Sequence, residues 1–275
     1  MAADDVLNSS GLAGRAKRIR KTILQAVHAS GKGHLGGSLS IVEILTFIYF
    51  SGHFRLDEAA NVTTVRDHFL LSKGHAAVAL YATLVESGRI DLAELMRMNT
   101  GHLLAEHPSP KVPGVDFVSG SLGHGLSLAA GIALAKKIDE SDSRTVVLLG
   151  DGECYEGSVW EAAQFASHHR LGNLVAFVDM NGLITHGRTR DINSFGNMAA
   201  RWKVSGWEVK ELDGHDLVSL ESSMAEPRAN QGLPLAIMAS TVKGKGVGRL
   251  EGRPESHHGS LKDEDFLAAI SELGG

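Results

Sequence analysis

Between Thr145 and Ile184 the chain reads Thr145-Val-Val-Leu-Leu-Gly150-Asp-Gly-Glu153, a helical stretch over 156–170, Leu171-Gly-Asn173, Leu174-Val-Ala-Phe-Val178 and Asp179-Met-Asn181-Gly182. Two short, continuous apolar runs separated by a helix-length segment form a βαβ pattern. Strands apolar on both sides belong to a parallel sheet covered by helices on both faces, joined by right-handed crossovers. The expected fold class is therefore α/β, built on a central parallel sheet. In such sheets ligands bind at the carboxyl ends of the strands, and Asp151 and Asn181 both sit just past such an end. A carboxylate, an amide oxygen and the Leu183 carbonyl are hard oxygen donors suited to Mg²⁺, whose remaining ligands come from phosphate and water. Gly150 and Gly152 permit close backbone approach, and the following helix offers free N–H groups to an anion, so a diphosphate fits the cradle.

Further strands are expected at His68–Ser72, Trp207–Leu212 and Leu235–Thr241. Leu12, Ala16, Ile19, Ile23 and Val27 recur at helical spacing and end at Ser30-Gly31. After the glycine-rich loop Gly31-Lys-Gly-His-Leu-Gly-Gly37, Ser40 and Glu43 read as a capping box that opens an apolar, buried helix to Phe50. An alanine-rich helix follows Gly74-His75 and stops near Gly88, and Ser260 reads as the cap of a closing helix over 262–273. The poorly periodic stretch 99–120 is long for a loop inside a compact domain, which marks it as functional. With no linker, repeat or low-complexity segment, residues 1–275 read as one domain.

Composition narrows the function classes. Lys and Arg number 27 against 32 Asp and Glu, for a formal charge of −5. No basic block is present, which argues against nucleic acid or anionic lipid as partner. The most apolar stretch, 41–50, carries Glu43 and falls short of the roughly 20 residues that span a bilayer. Residues 1–10 lack the apolar centre of a secretory signal, and the lone cysteine, Cys154, excludes a disulfide framework, so a cytoplasmic location is expected. Cys154 itself has no paired base and reads as a buried filler. Lys243, Lys245 and Arg249, in a glycine-rich run after the last strand, could steer phosphorylated sugars but read rather as solvated loop charges.

Gly150-Asp-Gly152 followed by Asn181, with 28 residues (153–180) between, resembles the thiamine-diphosphate motif. The rest of the chain is then similar to the amino-terminal half of transketolases, especially those split into two chains. The resemblance is carried by Ser30-Gly-Lys-Gly-His34-Leu-Gly-Gly37, Leu71-Ser-Lys-Gly-His75, His107-Pro108 and Gly120-Ser-Leu-Gly-His-Gly125. It continues through Gly150-Asp-Gly-Glu153 with Glu156-Gly157, Asp179-Met-Asn181-Gly, Asp213-Gly-His-Asp216 and His258-Gly259.

The resemblance implies a thiamine-diphosphate-binding fold with Mg²⁺, or Ca²⁺ or Mn²⁺ as substitutes, held by Asp151, Asn181 and the Leu183 carbonyl. It places His75, Gly120, Leu122, Gly123, Asp151, Gly152, Glu153, Asn181 and His258 at the cofactor. His34, His107 and His258 would face the substrate channel, and Glu156 would join a proton relay between the two active sites of a dimer. His102 competes with His107 for the channel position. Histidine suits proton transfer near neutrality, which two-carbon ketol transfer between a sugar-phosphate donor and an aldose requires. No carboxylate is placed to activate the aminopyrimidine, and the pyrimidine-binding and C-terminal domains are absent from this chain. The resemblance thus implies a separate partner subunit in an α₂β₂ assembly. The Met1 start favours natural splitting. Two rivals are the corresponding half of a deoxyxylulose-phosphate-synthase-like enzyme and a non-catalytic binding or regulatory module. Leu35, Ser121, His124 and His186 depart from common family forms, which leaves the sugar open.

Overall fold

The computed structural model describes residues 9–56, 66–194, 196–224 and 232–274; the expectation about residues 1–8 and most of the polar stretch 53–67 lie outside them. In chain order the elements are α1 (Ser9–Ser30), α2 (Leu35–Leu39), α3 (Val42–Phe50), β1 (His68–Leu71), α4 (Ala77–Glu86), α5 (Leu92–Leu95) and α6 (Gly125–Ile138). They continue with β2 (Thr145–Gly150), α7 (Gly157–His168), β3 (Leu174–Met180), β4 (Leu183–Ile184), β5 (Gly187–Arg188), α8 (Thr189–Ile192) and α9 (Met198–Val204). The last are β6 (Glu208–Asp213), α10 (Leu217–Ser223), β7 (Leu235–Ser240) and α11 (Asp263–Glu272).

Five strands form one sheet in the order β1-β2-β3-β7-β6, every neighbouring pair parallel. Strand periodicity then divides the core in two. On one face Val146, Leu148, Val175, Phe177, Leu235 and Ile237 pack with the buried stripe of α1 and with α3 and α4. On the other, Val147, Leu149, Ala176, Val178 and Met238 pack with Leu126, Ala129 and Ala133 of α6, Val159 and Ala163 of α7, and Trp202 of α9. Alternate side chains thus enter opposite layers, which is why β2, β3 and β7 read as apolar runs, whereas the edge strand β6, Glu-Val-Lys-Glu-Leu-Asp, does not. Burial of this apolar area, at about 25 cal/mol per Å², is the main force holding both layers on the sheet.

Two expected caps are replaced by other contacts. Ile41, not Ser40, is the N-cap of α3, and Ser40 is buried with its hydroxyl donating to the Gly37 carbonyl and to Asp179 Oδ2 (2.8 Å). Glu43 is buried between Arg20, bound at 2.7 Å, and His215 at 2.9 Å. Both side chains find partners distant in sequence, and those partners outcompete local capping. The closing helix α11 has Lys262 at its N-cap with no side-chain cap. Among the described residues no helix is long and apolar enough to cross a membrane.

Candidate functional site

A cleft of about 360 Å³ lies where β2 and β3 end, walled by Gly37, Lys73, His75, Gly120, Leu122, residues 150–153, Asn181, Leu183, Ile184, Lys243 and His257 among others. The side-by-side pairing of Gly150 with Asp179 brings the two strand ends together. Asp151 follows β2 directly and accepts from the backbone N–H of Gly152 (2.8 Å) and of Gly182 (2.7 Å). The second bond links the turn after β3 to that after β2, and Gly182 makes it from a left-handed backbone, φ +71°. Gly152 is required for a different reason: a Cβ there would lie 2.4 Å from Ile184 Cγ2.

Asn181 is oriented by its neighbours. Its Nδ2 donates to Asp179 Oδ2 (2.8 Å), and its Oδ1 accepts from the Leu183 N–H (3.0 Å). Asp179 is fully buried, paired with the Lys73 ammonium and hydrogen-bonded by Ser40 and Thr241. Burial raises its carboxyl, but Lys73 and these donors outweigh that and hold it below the usual carboxylate range. Asp151 is pushed up to about 6, mainly by burial and then by the nearby Asp179 charge. The Gly182 and Gly152 N–H bonds and the Lys73 charge oppose this rise without cancelling it.

Glu153 also borders the cleft, but its carboxylate is turned inward. It accepts from Ser72 Oγ, Gly123 N–H (2.9 Å) and Gly150 N–H (3.2 Å), and so fastens the 120–125 loop to β2. Gly123 is held by this bond and is not part of the wall, whereas Gly120 and Leu122 are. Buried Cys154 has its thiol pushed far up by burial and the adjacent Glu153 and Asp151; it is a filler.

Five imidazoles gather at the mouth. The His34 ring lies 5.4 Å from His75, 6.4 Å from His107, 5.3 Å from His257 and 4.6 Å from His258, centroid to centroid. His34 is lowered to about 4, first by burial and then by the neighbouring His258, against the opposing pull of Glu106. His75 falls well below its ordinary value through burial and Lys73. His107 joins this group, while His102 sits against Arg97 on the surface. His258 lies outside the cleft wall, with Nε2 3.3 Å from Glu106, and its neighbour His257 occupies the wall instead. Glu156 is exposed at the start of α7, beside Gly123 and outside the cleft. Neither His124 nor His186 lines the cleft, and both are exposed.

Sequence reasoning missed Lys73, Asp179, His257 and Thr241 and misplaced Lys243, which is buried, not solvated. Lys73 and Asp179 lie inside the motifs at 71–75 and 179–182, so a charged pair at two otherwise apolar strand ends was the available signal. Nothing local distinguishes His257 from His258.

Among the described residues no three His, Cys, Asp or Glu side chains converge to hold a metal ion unaided. Asp151 and Asn181 offer two oxygens and Leu183 a carbonyl, a partial donor set of the kind a hydrated Mg²⁺ completes with phosphate oxygens. The donor set, opening on a cleft of about 360 Å³, therefore fits a metal-bound diphosphate.

Comparison with known proteins gives a consistent assignment. Residues 13–275 match the family described as transketolase, thiamine diphosphate binding domain. The 6-deoxy-6-sulfo-D-fructose transketolase subunit SqwG of a Clostridium species is 39% identical over 261 residues, covering 94% of each chain. One subunit of the apulose-4-phosphate transketolase of Phocaeicola vulgatus is 37% identical over 260 residues, covering 94% of this chain and 92% of that one. Among solved structures, a transketolase from Campylobacter jejuni superposes with a TM-score of 0.86 at 28% identity, over 98% of this chain and 43% of that one. The transketolase of Pichia stipitis bound to sedoheptulose 7-phosphate gives 0.88 at 30% identity, over 97% and 41%. The chain thus spans less than half the length of these solved enzymes.

Proposed function

Since the chain belongs to the transketolase family through its thiamine-diphosphate-binding domain, we propose that it is the diphosphate-binding subunit of a split transketolase. The observation that supports this most is the joined strand-end pair, Asp151 and Asn181, opening on a histidine-lined cleft. In this reading residues 1–275 form one domain, and Asp151, Asn181 and the Leu183 carbonyl hold Mg²⁺. Gly152, Gly120, Leu122, Glu153 and His75 shape the diphosphate cradle, in part by fixing its loops. Bound thiamine diphosphate supplies the carbanion and electron sink for carbon–carbon cleavage.

The chain's own contribution is binding, orientation and proton handling. His34, held neutral by burial, accepts or returns a proton at an imidazole nitrogen facing the mouth, with His107 and His258 beside it. Glu106 bonds His258 and fixes its ring. Glu156 lies on the exposed surface next to the cleft, where the proton relay of a dimer would have to cross.

The partner reading has its own support. Leu122 borders the cleft and is 36% exposed, while Val118 and Leu128, 66% and 44% exposed, border a second hollow together. Exposed apolar side chains beside an open cleft are what a docking chain covers. We assign that role to the pyrimidine-binding half, in an α₂β₂ arrangement, acting on a ketose donor with an anionic end as the names of the similar subunits indicate.

Affinity purification from native cells, with mass spectrometry and donor screening, tests this. An equimolar co-purifying chain, and two-carbon transfer only by the mixture, is the expected result. Full turnover by this chain alone, or a partnered complex that binds cofactor and transfers nothing, overturns it.

A further inference from the structure

The mouth of the cleft carries one carboxylate that lies outside every motif of the sequence. Glu106 Oε1 is 3.3 Å from His258 Nε2 and 3.5 Å from Lys32 Nζ. The three side chains come from three segments: the glycine-rich loop after α1, the long stretch 99–120 and the turn at 254–258. Each segment is fixed at its backbone. Gly33 and Gly259 exchange N–H···O bonds of 2.9 and 3.0 Å, which seats the His258 ring 4.6 Å from that of His34. Tyr81 of α4 donates its hydroxyl to the His107 carbonyl at 3.1 Å, which anchors the residue next to Glu106.

This is a poor clasp for holding three segments together. Both contacts fall on one oxygen, both are long, and the Lys32 and His258 side chains are 54% and 43% exposed, conditions under which an ion pair adds little stability. Its consequence is electrostatic. Burial would raise the Glu106 carboxyl, but the His258 bond and then the Lys32 charge hold it below the usual carboxylate range. An ionised carboxylate only accepts, so His258 gives it the Nε2–H, and Nδ1 is left as the nitrogen with the free lone pair. No described residue bonds that nitrogen. The other titratable groups around the ring are His34 and His257, with Arg249, Arg253 and Glu255 on the hollow that His258 borders, and Arg249 is taken by Asp265. Glu106 therefore favours a proton on the His258 ring, and Lys32, drawing on the same oxygen, opposes it.

We propose that Glu106 is a positioning residue for proton transfer at this mouth, with Lys32 setting its strength: the carboxylate holds the His258 Nε2–H, leaves Nδ1 to take the proton of a sugar hydroxyl, and stabilises the imidazolium so formed. The exchange balances between the two partners. The hydroxyl O–H bond breaks with its electrons left on oxygen, an N–H bond forms at Nδ1, and the Nε2–H stays on Glu106 throughout. The proposal rests on the transketolase reading above and adds to it two residues that act through His258 without touching the substrate.

Ring NMR of the isolated chain tests the electrostatics with neither cofactor nor partner present. Against the natural chain, the His258 signal should titrate at lower pH in Glu106→Gln and at higher pH in Lys32→Met, each displaced by about 0.5 pH unit for a partly exposed pair. In the partnered complex, with the donor that the screen returns, the acid limb of the pH–rate profile should move in the same two directions. E106Q should also lower kcat by about 10-fold with KM little changed, a part of the roughly 100-fold or more that a general base supplies, and Glu106→Asp should recover some of it. A merely structural carboxylate would cost activity and leave the limb where it was. Ring displacements of equal sign or none, or an acid limb that stays put while the ring signal moves, overturn the role of Glu106 and Lys32 while the transketolase reading stands. If E106Q does not fold, the sign of the displacement in K32M decides alone, since that side chain is half exposed. A complex that binds cofactor and transfers nothing overturns the transketolase reading, and the proton-transfer role with it.

Discussion

Asp179 and Asn181, two positions apart at the end of β3, form one unit: the Asn181 amide donates to the buried Asp179 carboxylate at 2.8 Å, and this turns its oxygen toward Leu183 and the cleft. The carboxylate in turn neutralises Lys73. Asp179→Asn is expected to lower unfolding free energy by about 3–5 kcal/mol, because it strands a buried ammonium. The double variant with Lys73→Met should recover much of that stability but not the Mg-pyrophosphate affinity, since a single amide oxygen cannot serve Asn181, Ser40 and Thr241 as the two carboxylate oxygens do. Urea midpoints and calorimetry on the single and double variants check the separation.

A second expectation concerns Gly152. Gly152→Ala forces a methyl group against Ile184 Cγ2, 2.4 Å away, and should push the β4 strand off the cleft. Mg-pyrophosphate affinity should fall by roughly 10-fold or more, as for overpacking that costs about 1–3 kcal/mol. Adding Ile184→Ala removes the obstructing atom, so the double variant should bind better than G152A alone. If the double variant is no better, steric conflict is not the reason that position is glycine.

The buried Glu43 predicts a pH dependence of stability. Burial alone would raise this carboxyl, but hydrogen bonds from His215 and Arg20 and the Arg20 charge outweigh it and hold the group at about 2, below its ordinary 4.5. A carboxyl depressed on folding stabilises fully above its unfolded value and loses that stabilisation as pH falls toward the folded one, so the window runs from about 4.5 down to about 2. The linked contribution at neutral pH is on the order of 3 kcal/mol. Denaturant unfolding of the natural chain and Glu43→Gln should differ most above about pH 5 and converge through that window.

His34 offers a spectroscopic prediction. It faces His75, His107, His257, His258, Glu106 and Lys243, and its value of about 4 follows mainly from burial, with His258 next. Proton NMR of the ring should place its midpoint well below the ordinary 6.5, so it is neutral at pH 7. His258→Gln removes a like charge and should raise the midpoint, while Glu106→Gln removes an attractive one and should lower it. Because this imidazole is depressed on folding, protonation favours the unfolded chain, and the folded state loses stability as pH falls from 6.5 toward 4.

The parts of this architecture written locally were legible in the sequence. β2, α7 and β3 follow from two apolar runs and a helix-length gap, and the sheet edge carrying Asp151 and Asn181 follows from their position past strand ends. What the sequence concealed depends on contacts between distant segments. Ser40 and Glu43 have the spacing of a capping box, yet Asp179 and His215 claim them from 139 and 172 residues away. Lys243 lies in a glycine-rich run that looks solvated, and only the arrival of Gly36 and the β4 hairpin buries it. His257 and His258 are adjacent and chemically alike, and the extended backbone at His258 is what points them to different sides.

The paired backbone bonds between Gly33 and Gly259 carry a consequence for synthesis. A ribosome delivers Gly37, Lys73, His75, Asp151 and Asn181 well before it delivers Lys243 and His257, so the emerging chain holds its strand-end oxygens in an uncovered trough. The wall is closed only when the 243–259 segment returns to the loop that left the exit tunnel near the start. Nascent chains arrested after β7 should therefore resist proteolysis across the sheet while the 31–37 loop is still cut, and this protection should appear abruptly once Gly259 is free to reach Gly33.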